Sequence, residues 1–144
     1  MTLHIIKLCV GVETVEELAQ WQLGRIKEQK KKGKKNPELM HVTRMMPKRA
    51  EDIVGKGSLY WVIKGQIAVR QKILELRPVT RGGTPHCGIV YDAKLVPVAR
   101  RVHRPFQGWR YLKPEDAPAD ARGSKGGAGL PEALKAELVS LGLL

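Results

Sequence analysis

The chain has 144 residues, 42% hydrophobic and 28% charged, which is enough for one domain with its own core. Its 26 Lys and Arg outnumber 14 Asp and Glu for a net charge of +12, a field that favours polyanionic partners, namely nucleic acid or an anionic membrane surface. Cys9 and Cys87 form no CxxC pair, which excludes a disulfide scaffold, and no run approaches the roughly 18 to 20 apolar residues of a membrane helix. The start, Met1-Thr2-Leu3-His4, lacks the pattern of a signal peptide, so a cytoplasmic protein with no membrane partner is expected.

Leu3 to Val12 is a mostly apolar run of strand length. Thr14 with Glu17 three residues on makes a capping box, and Glu13 and Glu16 suit the positive end of a helix dipole. Val15, Leu18, Ala19 and Ile26 recur at helical spacing, which predicts a helix from Val15 to Gln29. Five lysines in the six positions from Lys30 to Lys35, followed by Asn36-Pro37, predict a mobile basic loop near 30–37. Between Arg25 and Arg49 ten Lys or Arg face two acids, so much of the excess charge is local. Met40 to Met46 reads as a short strand, and Pro47 to Val54 as a short helix with Pro at its first position.

The organising stretch is Ser58 to Leu76. Leu59 to Ile63 is a fully apolar run fenced by glycines, the pattern of a strand buried on both faces. Ile67 to Leu76 alternates, and its phase changes partway, which predicts a bulge near Gln71. The two strands pair as a hairpin around Lys64-Gly65-Gln66. Arg77 to Pro85 reads as a turn region, His86 to Tyr91 as a third central strand, and Leu95 to Val98 as an edge strand because of Pro97. Trp109 to Leu112 is a final strand, closed by Lys113-Pro114-Glu115-Asp116. Arg122 to Gly129 is a Gly-rich linker, and Pro131 to Leu144 carries the pattern of a short terminal helix.

Arg100 to Lys113 holds five cations and no acid, and interleaves them with aromatics. Single strands are held in this way, with phosphates on Arg and Lys and bases stacked on exposed rings. The same aromatics also suit a barrel core with a solvated cationic face. The four histidines show no metal-ligand spacing, so no metal and no cofactor is expected. A Cys87–His nucleophile has no orienting acid beside it in sequence. Gly55-Lys56-Gly57-Ser58 lacks phosphate-loop spacing and precedes a strand.

Three segments, LHIIKLCVG at Leu3–Gly11, SLYWVIKGQIAVRQKIL at Ser58–Leu74 and RPFQGWRYLKPEDAP at Arg104–Pro118, together resemble a family of short bacterial proteins, domain of unknown function number 1489. The resemblance covers about residues 3 to 121, leaves the Gly-rich tail outside, and implies no activity. The hairpin with its central glycine and the closing aromatic strand are also similar to PUA-like and ASCH-type small barrels. That fold-level likeness implies binding of RNA or modified bases and, in some members, hydrolysis of modified nucleosides.

The expected fold is α+β: one domain over 1–121, a small, strongly bent mixed sheet or open PUA-like barrel of five or six strands with the N-terminal helix packed on it. The expected function is nucleic-acid binding, RNA before duplex DNA, since no helix-turn-helix or zinc module is evident. Arg44, Lys48, Arg49, Arg70, Arg104 and Arg110 are the candidate phosphate contacts, with Trp61, Phe106 and Trp109 as stacking rings. Two alternatives stand beside it. One is an enzyme on a small anionic or nucleoside substrate, using Lys64 or His41 with Glu75. The other is an interaction module of a ribonucleoprotein.

Overall fold

The computed structural model describes residues 2–121; the linker and terminal helix expected over 122–144 lie outside the described residues. The elements are β1 (His4–Leu8), α1 (Val15–Lys31), β2 (Leu39–Thr43), β3 (Ser58–Ile63), β4 (Gln66–Arg81), β5 (Thr84–Tyr91), β6 (Val96–Val102) and β7 (Trp109–Leu112), with 3-10 turns at Ala50–Asp52 and Pro114–Asp116. The strands form one open, seven-stranded mixed sheet in the order β2-β5-β4-β3-β1-β7, and β6 pairs with β4 off this path. Seven strands stand where five or six were expected, and residues 77–85, expected as a turn region, lengthen β4 and β5.

The capping expectation holds at α1, where the Thr14 hydroxyl accepts the Glu17 N–H at 3.1 Å. Leu18, Ala19, Gln22, Leu23 and Ile26 form its buried stripe, packed on a core that includes Ile5, Trp61, Ile73 and Tyr91. The helix stops at Gly33, whose φ of 89° only glycine adopts freely, and the Gly33 N–H closes back on the Lys30 carbonyl.

All six residues of β3 are buried, as a strand covered on both faces requires. Leu59, Trp61 and Ile63 join the helix-side core, while Tyr60 and Val62 join a second cluster with Ile6, Ile67, Val98 and Leu112. Alternation along the strand makes that division. Lys64 and Gly65 both take positive φ, 50° and 77°, so the β3–β4 hairpin turns in the mirror-image geometry that matches strand twist.

β4 is the spine. It pairs with β3 and β6 over its first part and with β5 from Ile73 to Arg81. Its register slips twice, at Ala68 and at Leu74, not at Gln71 as the phase change implied. Gln71 instead faces inward between the two irregularities and is fully buried. Arg77 to Pro85 corrects the expected turn: β4 and β5 run on as a ribbon to a two-residue tip, Gly82-Gly83, with both φ positive. Pro78 on β4 and Pro85 on β5 are tolerated because these outer parts of both strands are paired on one side only, leaving an edge at which a missing N–H need break no ladder bond.

Candidate nucleic-acid interface

The two ends of the sheet, β2 and β7, are not paired as strands; side chains clasp the gap between them. The indole N–H of Trp109 donates to the Met45 carbonyl at 2.8 Å. The Tyr111 hydroxyl accepts the backbone N–H groups of Lys48 and Arg49 at 3.0 and 3.2 Å. The two rings meet edge to face at 4.9 Å. Alternation on β7 puts Trp109 and Tyr111 on one face, and it is this face that meets the loop following β2.

Beside the clasp lies a cleft of about 670 Å³, whose lining includes Arg44, Met45, Arg81, His86, Gln107 and Trp109, and no carboxylate. The Gly82-Gly83 tip sets Arg81 at the end of β4, and Gly108, with φ 69°, turns the chain into β7 beside Gln107. Neither Arg44 nor Arg81 forms an ion pair among the described residues.

The nine nominated binding residues separate into groups. Arg44 and Trp109 line the cleft. Lys48 and Arg49 are exposed on the same loop, Arg49 pairing with Asp52 at 3.0 Å. Phe106 and Arg110 form a separate patch: the Arg110 guanidinium sits 4.9 Å over the Phe106 ring, which packs against the Leu112 cluster on the other face of β7, and Arg104 is exposed in the loop before that strand. Arg70 is committed elsewhere, holding Asp120 through two N–H groups at 2.8 Å each and Ser58 at 3.1 Å. Trp61 is 3% exposed and its indole N–H is taken by Gln71, so it is not a surface ring for a polymer.

The nominated catalytic trio is not brought together. Lys64 lies in the β3–β4 turn, Glu75 is exposed and holds Arg77 at 2.9 Å, and His41 faces the rings of the core from β2. The lysine-rich segment is also apart from the cleft. Gln29 grips the Glu38 backbone from both sides, and the Glu38 carboxylate holds Arg77 at 3.0 and 3.1 Å, fixing that segment at the opposite end of β2 from Arg44. Four steps of strand put those ends about 13 Å apart. Arg81 and Gln107 escaped the sequence reading, although two glycines between strand-like residues are a hairpin signal.

Residues 5–144 match the sequence profile of the family described as Protein of unknown function (DUF1489). The chain belongs to that family. The match takes in the Gly-rich tail that the resemblance had left out. No curated protein and no solved structure matches the chain, so no solved structure stands behind the likeness to PUA-like and ASCH-type barrels. Among the described residues of this DUF1489 chain, no helix is long and apolar enough to cross a membrane.

His41 gives the DUF1489 chain a defined acid sensitivity. Burial, with the Lys7 charge adding to it, holds the imidazole at about 4 against an ordinary 6.5. The unfolded chain therefore takes up this proton first, and stability present above pH 6.5 is lost as pH falls toward 4. Partial exposure reduces the effect to about 1–2 kcal/mol. His4, lowered by burial and then by Arg70, adds in the same direction. Urea unfolding at neutral and mildly acid pH should show His41→Phe losing less stability on acidification than the parent. An equal loss in both proteins contradicts the assignment.

Proposed function

We propose that this chain binds single-stranded nucleic acid, RNA in preference to duplex DNA, in the cleft between the β2 loop and β7. The observation that carries the reading is the charge of the cleft: Arg44 and Arg81 line it with no carboxylate among the lining residues. Guanidiniums without an acidic partner hold phosphate oxygens in a fixed, often bidentate geometry. Trp109 is half-buried on the same wall, and stacking on such a ring contributes about 1–3 kcal/mol per base. Lys48 on the adjoining loop, and Arg104 and Arg110 across β7, extend the positive surface for a backbone that leaves the cleft. A cytoplasmic role, alone or within a ribonucleoprotein, follows from this reading.

The test is fluorescence anisotropy with a mixed-sequence single-stranded RNA across about 50 to 300 mM salt, beside duplex DNA and heparin. Arg44→Ala with Arg81→Ala is expected to weaken RNA binding at least about tenfold and to reduce the salt slope by about 1.4. Unchanged affinity and slope would overturn the cleft assignment. Equal binding of all three polyanions, vanishing with salt, would reduce the reading to non-specific charge.

A further inference from the structure

A second cavity, of about 400 Å³, opens between the start of α1 and the strands β1, β2, β3 and β5. Its walls carry Lys7, Cys9, Trp21, His41, Trp61 and Tyr91. His41 meets Trp61 edge to face at 5.6 Å, and Trp61 meets Tyr91 in the same way at 6.0 Å. These walls are held from behind: the Trp61 indole donates to Gln71 at 2.9 Å, and Gln22 donates to the Tyr91 hydroxyl at 3.4 Å. Trp21, 50% exposed, carries the Arg25 guanidinium 5.1 Å over its ring.

Charge in the cavity is one-sided. Lys7 is half-buried there, no carboxylate lines the site, and Lys7 forms no ion pair among the described residues. The geometry points to a binding site for a planar aromatic anion, its ring against His41, Trp61 and Trp21 and its carboxylate or phosphate on Lys7. Aromatic walls meet a planar guest by stacking or by their positive edges, and a cavity of this size is in the usual range for small ligands. Desolvation lowers the Lys7 pKa, the direction expected of an ammonium whose charge is uncompensated, and a bound anion would compensate it. Burial pushes the neighbouring Cys9 thiol up to about 11, so at neutral pH it is a protonated wall atom and not a nucleophile. The site binds; its thiol does no covalent chemistry. The two cavities share no lining residue, although Lys7 stands opposite Trp109 across the β1–β7 pairing.

The experiment is a proton–nitrogen NMR titration of the full chain with benzoate, nicotinate and uridine monophosphate, each beside its neutral counterpart: benzamide, nicotinamide and uridine. At least one acid should shift the Trp21 and Trp61 indole signals saturably, with its neutral counterpart at least about tenfold weaker. The first two acids against the third separate a carboxylate ligand from a phosphate one. Lys7→Met should abolish the preference for the acid, and Lys7→Arg should retain it. Arg44→Ala with Arg81→Ala should keep the preference for the acid, which separates this site from the cleft. The proposal fails if no acid shifts those signals, if acid and neutral compound bind alike, or if Lys7→Met keeps the preference.

Discussion

Gln71→Leu is expected to destabilise the fold by about 3–5 kcal/mol, because one amide satisfies most of the polar groups buried beneath the helix. Gln71 and Gln22 exchange amide hydrogen bonds at 2.9 and 2.7 Å. The Gln71 oxygen also accepts the Trp61 indole N–H at 2.9 Å, and its nitrogen reaches the Asp92 carbonyl at 3.1 Å. Both glutamines are buried, and no buried side-chain polar atom lacks a partner among the described residues. Leucine matches the volume but strands the indole, the facing amide and the carbonyl, each at about 1–3 kcal/mol. Removing both amides as Gln22→Leu with Gln71→Leu should be less harmful than the sum of the single changes, since two of the orphaned partners vanish together. Urea unfolding of the four proteins reads this directly. A loss below about 1 kcal/mol for Gln71→Leu would show that water replaces the amide and that the network is not dry.

Gly57→Ala is the second large effect, and it acts through backbone alone. A Cβ at Gly57 would stand 1.9 Å from the Leu3 carbonyl oxygen and 2.9 Å from its carbon. No side-chain rotation relieves a contact between two backbones, so β1 must move off β3. The casualties include the Ser58 N–H to His4 Nδ1 bond at 2.9 Å and the parallel register that begins with Ile5 opposite Leu59. A loss of about 3 kcal/mol or more is expected. Gly24→Ala is the natural control: a Cβ there meets nothing within 4 Å, and alanine in mid-helix should add about 0.5–1 kcal/mol. Thermal unfolding of both variants decides the matter. If Gly57→Ala melts with the parent, the Leu3 backbone does not pack against Gly57 and the contact does not hold β1.

These effects show where local sequence carries the fold. The β3–β4 hairpin was readable because an apolar run, a Lys64-Gly65 tip and an alternating run all lie within a few residues of one another. The Thr14 cap was readable for the same reason. The β4–β5 ribbon was not, because Pro78 and Pro85 read as breakers until the free edge beside them is known. For the site, residue types announced the chemistry but not the placement. Trp109 and Arg110 are adjacent in sequence and belong to opposite faces of β7, so a run of aromatics and cations divides into two surfaces. Arg70 looked like any other surface arginine; only the folded chain brings Asp120 to it. The cavity around Lys7 draws its walls from five elements, and no local pattern announces such a convergence.

The place of β1 in the sheet has a further consequence, for the order in which the molecule is assembled. Ile5 is flanked by Leu59 on one side and by Tyr111 on the other. During synthesis β1 emerges before any of its neighbours, and its second edge waits for nearly all of the domain to follow. Pairings so distant in sequence make folding slow, and an unpaired apolar strand is an open edge for other chains while it waits. Among the described strands, an early one thus has to wait for one of the latest to complete its neighbourhood.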